Sequence, residues 1–304
     1  MSKEQVINKE MADFMFELPL EVKIAKTEQR IIEWVEEYGE SGVYVAFSGG
    51  KDSTVLLHIA RSLYPNIKGM FCNTGLEFPE IVQFVNTIEN IDVVKPKMTF
   101  KQVLEKYGYP IISKEQSQYI NQYRTHKSEK TKHTRWFGNK WGQGKISEKW
   151  KFVTEAPFMV SDQCCNIMKK NPSKQYEKEN KVHPILGTMA SESSQRRVYW
   201  YKNGCNGFDL KRPTSKPLSF WKEEDIWAYI KKFDIPYSKI YDMGYERTGC
   251  MFCMYGCHKD ASPTRFEMIN KTHPKIYDYC MEKLGLRKIF EWMNEHMTKD
   301  NIKY

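Results

Sequence analysis

The sequence predicts an α/β protein, a parallel sheet flanked by helices and followed by a helical, cysteine-containing C-terminal region. Three observations carry this expectation. Short apolar runs alternate with stretches of helical periodicity through the first third of the chain, a glycine turn joins the first apolar run to the helix behind it, and cysteines gather towards the end.

Residues 1–40 read as helical, with an apolar stripe at Ile31, Ile32, Trp34 and Val35 and a stop at Gly39. Val43–Phe47 is short, apolar and bounded by glycines, the pattern of a buried parallel strand. Ser53 is placed to cap a helix carrying Val55, Leu56, Ile59, Ala60 and Leu63. The theme then repeats, with Ile67–Cys72 as strand, Asn73-Thr74-Gly75 as turn, Pro79 opening a helix and Ile91–Val94 as a third strand. Such alternation implies right-handed β-α-β crossovers with ligands at the carboxyl ends of the strands, the edge where residues 48–53 fall. The pattern breaks down over 113–151 and returns near Pro184-Ile185-Leu186. A helix is expected over Glu223–Lys232, and two more near Pro263–Cys280 and Leu286–Met297. The expected organisation is an α/β domain over 1–245, with N-terminal helices and the 113–151 insert, and a C-terminal region over 246–304.

At 304 residues, 40% hydrophobic and 28% charged, the chain has the make-up of a soluble globular protein with a wide polar surface. It lacks any run near the roughly 18 apolar residues of a membrane span. Its start, Met1-Ser2-Lys3-Glu4-Gln5, lacks a signal-peptide core, so a cytoplasmic location without membrane partners is expected. Eight cysteines in a reducing compartment point to metal binding or sulfur chemistry rather than disulfides. The net charge of +9 suits an anionic partner.

The sharpest motif is Ser48-Gly49-Gly50-Lys51-Asp52-Ser53. A Gly-Gly turn after a buried strand frees backbone N–H groups to converge on one spot, and the following helix adds its positive end there. Lys51 brings a full charge to a phosphate, and Asp52 is suited to holding Mg²⁺ against the same phosphates. A Walker loop is excluded, because Val45 stands where its first glycine belongs and Asp52 follows Lys51.

Phe47-Ser48-Gly49-Gly50-Lys51-Asp52-Ser53 resembles the PP-loop of ATP pyrophosphatases, which cleave between the α and β phosphates and often form adenylylated intermediates. Asn73-Thr74-Gly75-Leu76-Glu77-Phe78-Pro79-Glu80 resembles the second signature of the phosphoadenylyl-sulfate (PAPS) reductase branch of that superfamily, and Gly187–Arg196 a third. Cys164-Cys165, Pro217-Leu218 before Trp221, and Gly249-Cys250 with Cys253 continue the match over about 30–255. The resemblance implies an adenine nucleotide alpha-hydrolase-like, Rossmann-like fold that binds ATP or an adenylyl sulfonucleotide. The nucleotide contacts it implies are Ser48, Gly49, Gly50, Lys51, Asp52, Ser53, Thr74, Gly75, Gly187, Glu192, Ser193 and Arg196, with Arg197 a weaker candidate for the phosphate clamp. Where relatives usually carry Arg, this chain carries Met189.

Cys164-Cys165 and Cys250-x-x-Cys253 make four thiols in two pairs, a soft donor set for an iron–sulfur cluster or zinc. The resemblance favours a [4Fe–4S] cluster, since adenylyl-sulfate reductases hold one with such pairs, and adjacent cysteines strain zinc geometry. Cys257 is an alternative ligand or a sulfur-carrying nucleophile, whereas Cys72, Cys205 and Cys280 read as structural thiols. Sulfite-forming relatives carry a Glu-Cys-Gly-x-His tail and alter the Gly-Gly-Lys-Asp core. Here the core is intact and the chain ends Thr298–Tyr304 without that tail. Both departures point to ATP cleavage, adenylylation of an acceptor through Lys51 and Asp52, and sulfur transfer. A sulfite-producing reductase and a non-catalytic nucleotide- or cluster-binding module are the alternatives.

From Arg124 to Lys151, nine Lys and Arg face two Glu, a net of +7, with Trp136, Phe137, Trp141 and Trp150 interleaved. This composition suits the backbone and bases of DNA or tRNA, and equally a solvated loop with packed aromatics. The sequence also leaves room for a sulfur-donor protein and for a homo-oligomer.

Overall fold

The computed structural model describes residues 7–297 and 301–304. The Met1–Gln5 start and the Thr298–Asp300 part of the C-terminal run lie outside the described residues. In chain order the first elements are α1 (Lys9–Phe16), α2 (Leu20–Tyr38), β1 (Val43–Ala46), α3 (Lys51–Leu63), β2 (Lys68–Cys72), α4 (Pro79–Val85) and β3 (Ile91–Val94). Helices α5 (Phe100–Tyr107), α6 (Lys114–Thr125), α7 (Glu129–Phe137) and α8 (Asn171–Asn180) follow. The remainder is β4 (His183–Leu186), α9 (Ser194–Asn203), β5 (Asn206–Gly207), β6 (Thr214–Ser215), α10 (Glu223–Phe233), α11 (Arg265–Thr272), α12 (Pro274–Asp278) and α13 (Leu286–His296).

Two compact units share the chain. The first comprises residues up to Asn73, Phe78–Lys95 and Pro172–Thr248, and the second Thr74–Glu77, Pro96–Asn171 and Gly249–Tyr304.

The first unit holds a six-stranded sheet of order β3-β2-β1-β4-β6-β5. β1 pairs in parallel with β2 on one side and with β4 on the other, in the registers Ala46↔Met70 and Ala46↔Leu186. The expected parallel sheet is present, and the edge strand β5 alone runs antiparallel, against β6. Because the chain fills one side of β1 with β2 and β3 and then returns to the other with β4, the order reverses at β1. The segments leaving β1 and β4 therefore flank the crevice where open α/β sheets bind ligands. Tyr44, Met70, Tyr176 and Val182 pack a core cluster beside the sheet. Helix α2 is pinned by a buried ion pair, Lys23 Nζ to Asp225 Oδ2 at 2.6 Å, and by Trp221 Nε1 donating to Thr27 Oγ1 at 2.9 Å. Gly39 ends α2 with φ of 77°, as expected.

Three local expectations need correction. Ser53 does not cap α3: Gly50 is the N-cap, and the Ser53 hydroxyl instead turns back to donate to the Gly50 carbonyl at 2.9 Å. The 113–151 segment is not patternless, because α6 and α7 lie within it, capped by Ser113 and Ser128 accepting from the backbone N–H groups of Gln116 and Thr131. The hydrophobic pattern missed these helices because they are polar almost all round; α6 buries only Ser117 and Ile120, and α7 buries nothing. The helix expected across Pro263–Cys280 is divided into α11 and α12, with Pro274 opening the second. No helix among the described residues is long and apolar enough to cross a membrane.

Candidate functional site

The loop leaving β1 bends at Gly49, whose φ of 72° favours glycine. A β-carbon there would stand 2.8 Å from Val85 Cγ2 and 2.9 Å from Ile81 Cγ2, so α4 itself demands glycine. Hydroxyls already satisfy three of the loop's amides. Ser48 N donates to Ser53 Oγ (3.1 Å), Gly50 N to Ser48 Oγ (3.3 Å), and Lys51 N to Tyr241 Oη (2.8 Å). The bend is thus partly covered: Gly49, Gly50 and Lys51 are buried while Ser48 is exposed. Neutral hydroxyl oxygens occupy acceptor positions that phosphate oxygens would fill more strongly.

Lys51 is held rather than free. Its Nζ lies 3.1 Å from Glu223 Oε1, 3.0 Å from the Glu246 carbonyl and 3.8 Å from Asp52 Oδ1. Asp52 Oδ1 is buried and has no hydrogen-bond partner. Burial pushes the Asp52 carboxyl above its ordinary range, with Lys51 opposing, Glu223 adding to the rise, and Arg196 and Arg247 opposing. A buried carboxylate oxygen without a donor is a costly feature, and a cation is the chemistry that satisfies it.

The segment leaving β4 meets this loop. A β-carbon on Gly187 would come within 3.1 Å of the Asp52 carbonyl, so glycine permits the approach of the two chain segments. Glu192 forms an ion pair with Arg196 and accepts from Met189 N at 3.0 Å, while Ser193 caps α9. Burial lowers the Arg196 guanidinium from its ordinary value, and the Asp52 charge raises it. Met189 is buried.

The first unit therefore brings Ser48–Ser53, Gly187, Glu192, Ser193 and Arg196 into one neighbourhood. It adds residues the sequence reading missed: Tyr241, Arg247, Glu223 and Lys216. Lys216 lies 3.0 Å from the Tyr199 ring centroid, and burial brings its ammonium down to about 8, with Arg196 adding to the fall. Its signal was adjacency to the singled-out Pro217-Leu218. Tyr241 and Arg247 stand in no motif.

Thr74 and Gly75 belong to the second unit, in a turn where Thr74 N and Oγ1 both donate to Glu77, at 2.9 and 2.7 Å. Gly75 has φ of 73°.

The second unit also holds all four predicted ligand cysteines. Cys164 lies near enough to Cys165, Cys250 and Cys253 for their charges to interact, and burial is the larger cause holding its thiol far above the usual range. Burial pushes Cys250 up to about 11, against the pull of Lys169, whose ammonium hydrogen-bonds to it. Arg265 Nη1 donates to the carbonyls of Cys253 (3.1 Å) and Tyr255 (3.0 Å), fixing the C-x-x-C turn. Among the described residues, no three Cys, His, Asp or Glu side chains are gathered as ligands of one ion. The donor set itself, four thiols with a cation donating to one sulfur, matches what an iron–sulfur cluster uses. Cys257 is buried, and burial drives its thiol up to about 12, so it is protonated at neutral pH and a poor nucleophile in this conformation.

The basic aromatic segment separates by exposure. Trp150 is buried against His258, and Trp136 stacks on Tyr123 with Lys151 over its face. Phe137 and Trp141 are 62% and 69% exposed.

Residues 42–138 and 111–255 match the model of the phosphoadenosine phosphosulfate reductase domain. An uncharacterized protein of Methanocaldococcus jannaschii is 26% identical over 274 residues, covering 86% of this chain; the chain spans about half of that relative, 54%. Adenosine 5'-phosphosulfate reductase 2 of Bacillus subtilis is 26% identical over 230 residues, covering 73% of this chain and 77% of that protein. The crystal structure of phosphoadenylyl-sulfate reductase from Candida auris aligns over 81% of this chain and 97% of that one, with 17% identity and a TM-score of 0.45. With more than half of its residues inside the matched family model, the chain belongs to the phosphoadenosine phosphosulfate reductase domain family.

Proposed function

We propose that this protein binds ATP at Ser48–Ser53, cleaves it between the α and β phosphates, and adenylylates an acceptor for sulfur transfer. The observation that carries the reading is Asp52 Oδ1, buried beside Lys51 without a hydrogen-bond partner at the start of α3. In this reading the phosphates displace the Tyr241 hydroxyl from the Lys51 amide and draw Lys51 Nζ away from Glu223. The amides of 48–51 and the Lys51 ammonium then take up charge on the leaving pyrophosphate as an acceptor oxygen bonds to the α-phosphorus. Mg²⁺ held by Asp52 would supply further neutralisation of the same phosphates. Arg196 clamps a phosphate or sulfate oxygen once it exchanges Glu192 for the ligand.

Cys164, Cys165, Cys250 and Cys253 would hold a [4Fe–4S] cluster, which supplies a site for the sulfur that displaces AMP. Adjacent cysteines disfavour zinc in the same place. The buried Cys257 supports a structural role more than a sulfur-carrying one. Exposed Phe137 and Trp141, among the lysines of 124–151, support nucleic acid as the acceptor class, DNA or tRNA, through base stacking.

The second reading, release of sulfite from an adenylyl sulfonucleotide, is favoured by the likeness to a named adenosine 5'-phosphosulfate reductase. One pair of assays separates the two. Pyrophosphate released from ATP, and lost with Lys51→Ala, supports the first. Thiol-dependent sulfite from adenylyl sulfate, with no pyrophosphate from ATP, supports the second and overturns the first.

A further inference from the structure

The second unit contains a cavity of about 510 Å³ outside the thiol group, at the start of α6 and along residues 255–259. Three lysines, Lys114, Lys149 and Lys259, line it together with His258, and no carboxylate does. Each lysine has an acidic neighbour in sequence that is engaged elsewhere. Glu115 hydrogen-bonds to Tyr119, Glu148 pairs with Lys151 at 2.9 Å, and Asp260 pairs with Arg265 at 2.6 Å. Among the described residues none of the three ammonium groups has an ion-pair partner, although Lys114 donates to Asn166 Oδ1 at 3.2 Å. Three like charges around one cavity repel, and an anion relieves that repulsion.

The wall is also strained beside Lys114. Ile112, which lines the cavity, holds φ of 64°, a costly conformation for a β-branched residue. Its carbonyl accepts from Gly256 N at 2.8 Å, which sets the 255–259 wall against Ser113 and Lys114. Tyr255 lines the cavity too, and its phenol interacts electrostatically with Cys165 and Cys164.

We propose that this cavity is a phosphate-binding site, its three lysines taking either a phosphodiester of a nucleic-acid strand or free inorganic phosphate. The inference does not depend on ATP cleavage. The test uses the full chain in a Lys51→Ala background, so that the glycine loop of the first unit is not the reporter, with and without Lys149→Gln/Lys259→Gln. Both lysines are exposed, and matched thermal melting checks that the fold is kept. Binding of a labelled single-stranded oligonucleotide is measured against salt, and binding of inorganic phosphate by calorimetry. The expected result is a weakening of about tenfold or more, with a salt slope shallower by about one for each lysine that contacts a phosphate. Weakening of the oligonucleotide identifies a phosphodiester. Loss of inorganic phosphate binding with the oligonucleotide unaffected identifies the free ion. The proposal is overturned if both ligands bind the double variant as tightly as its parent, or if neither binds the parent.

Discussion

The glycine loop of the first unit and the thiol group of the second are built in opposite ways. The loop is contiguous in sequence, and its shape is dictated by backbone: a left-handed glycine under α4, a carbonyl gripped by Ser53, amides satisfied by nearby hydroxyls. The thiol group joins residues far apart in sequence, and Lys169 and Arg265 hold its parts in place. The loop is thus organised by its own backbone, whereas the thiols carry the cost of burial, which a bound cluster in the proposed reading would relieve. Losing a ligand should therefore unsettle the second unit more than the first.

The largest expected effect breaks that comparison if it fails. Cys250→Ala, purified anaerobically, should lose essentially all bound iron and sulfide while ATP affinity stays at the wild-type value; iron retained in full would remove Cys250 from the ligand set. Lys51→Ala should lower pyrophosphate release by about 100- to 1000-fold, the scale of losing one donor to developing charge, with iron content unchanged. In the aromatic segment, Trp150→Ala should cost about 3–5 kcal/mol in denaturant unfolding, as for a buried aromatic. Trp141→Ala should cost no more than about 0.5 kcal/mol yet weaken single-strand binding by about tenfold. Equal stability losses would erase the distinction between them.

Asp52→Asn comes last, and the sign of its effect on stability follows from the raised carboxyl. A group that holds its proton more tightly folded than unfolded adds stability below its unfolded value and loses it as pH rises through the folded one. The variant is spared that loss, so its melting temperature should exceed wild type at neutral pH and converge with it in acid, while pyrophosphate release falls. A variant less stable at neutral pH would show that Asp52 is satisfied in the apo protein.

The sequence made the sheet and the loop legible because both are written locally. Val43–Phe47 is too apolar and too short for anything but a buried strand, and Gly49-Gly50 behind it admits few conformations. What escaped was written in distant residues or in caps. Tyr241 reaches the Lys51 amide from 190 positions away, with no local pattern to announce it. Helices α6 and α7 were hidden by polar faces, although Ser113 and Ser128 were cap signals in plain view. The cysteine pairs were visible as pairs, but Lys169 beside them looked like any surface lysine. The three lysines that line the second unit's cavity stand far apart in sequence, and Ile112 beside the first of them takes a backbone angle that its side chain gives no reason to expect.

The central claim is that the bend at Gly49–Lys51 receives the polyphosphate of an adenine nucleotide, and titration calorimetry with ATP and magnesium tests it most directly. The account predicts saturable one-site binding to the wild type, abolished by Gly49→Val and strongly weakened by Lys51→Ala, with Tyr241→Phe binding at least as tightly as wild type because it no longer competes for the Lys51 amide. A folded wild-type protein with no affinity for ATP, or affinity indifferent to Gly49 and Lys51, would contradict it.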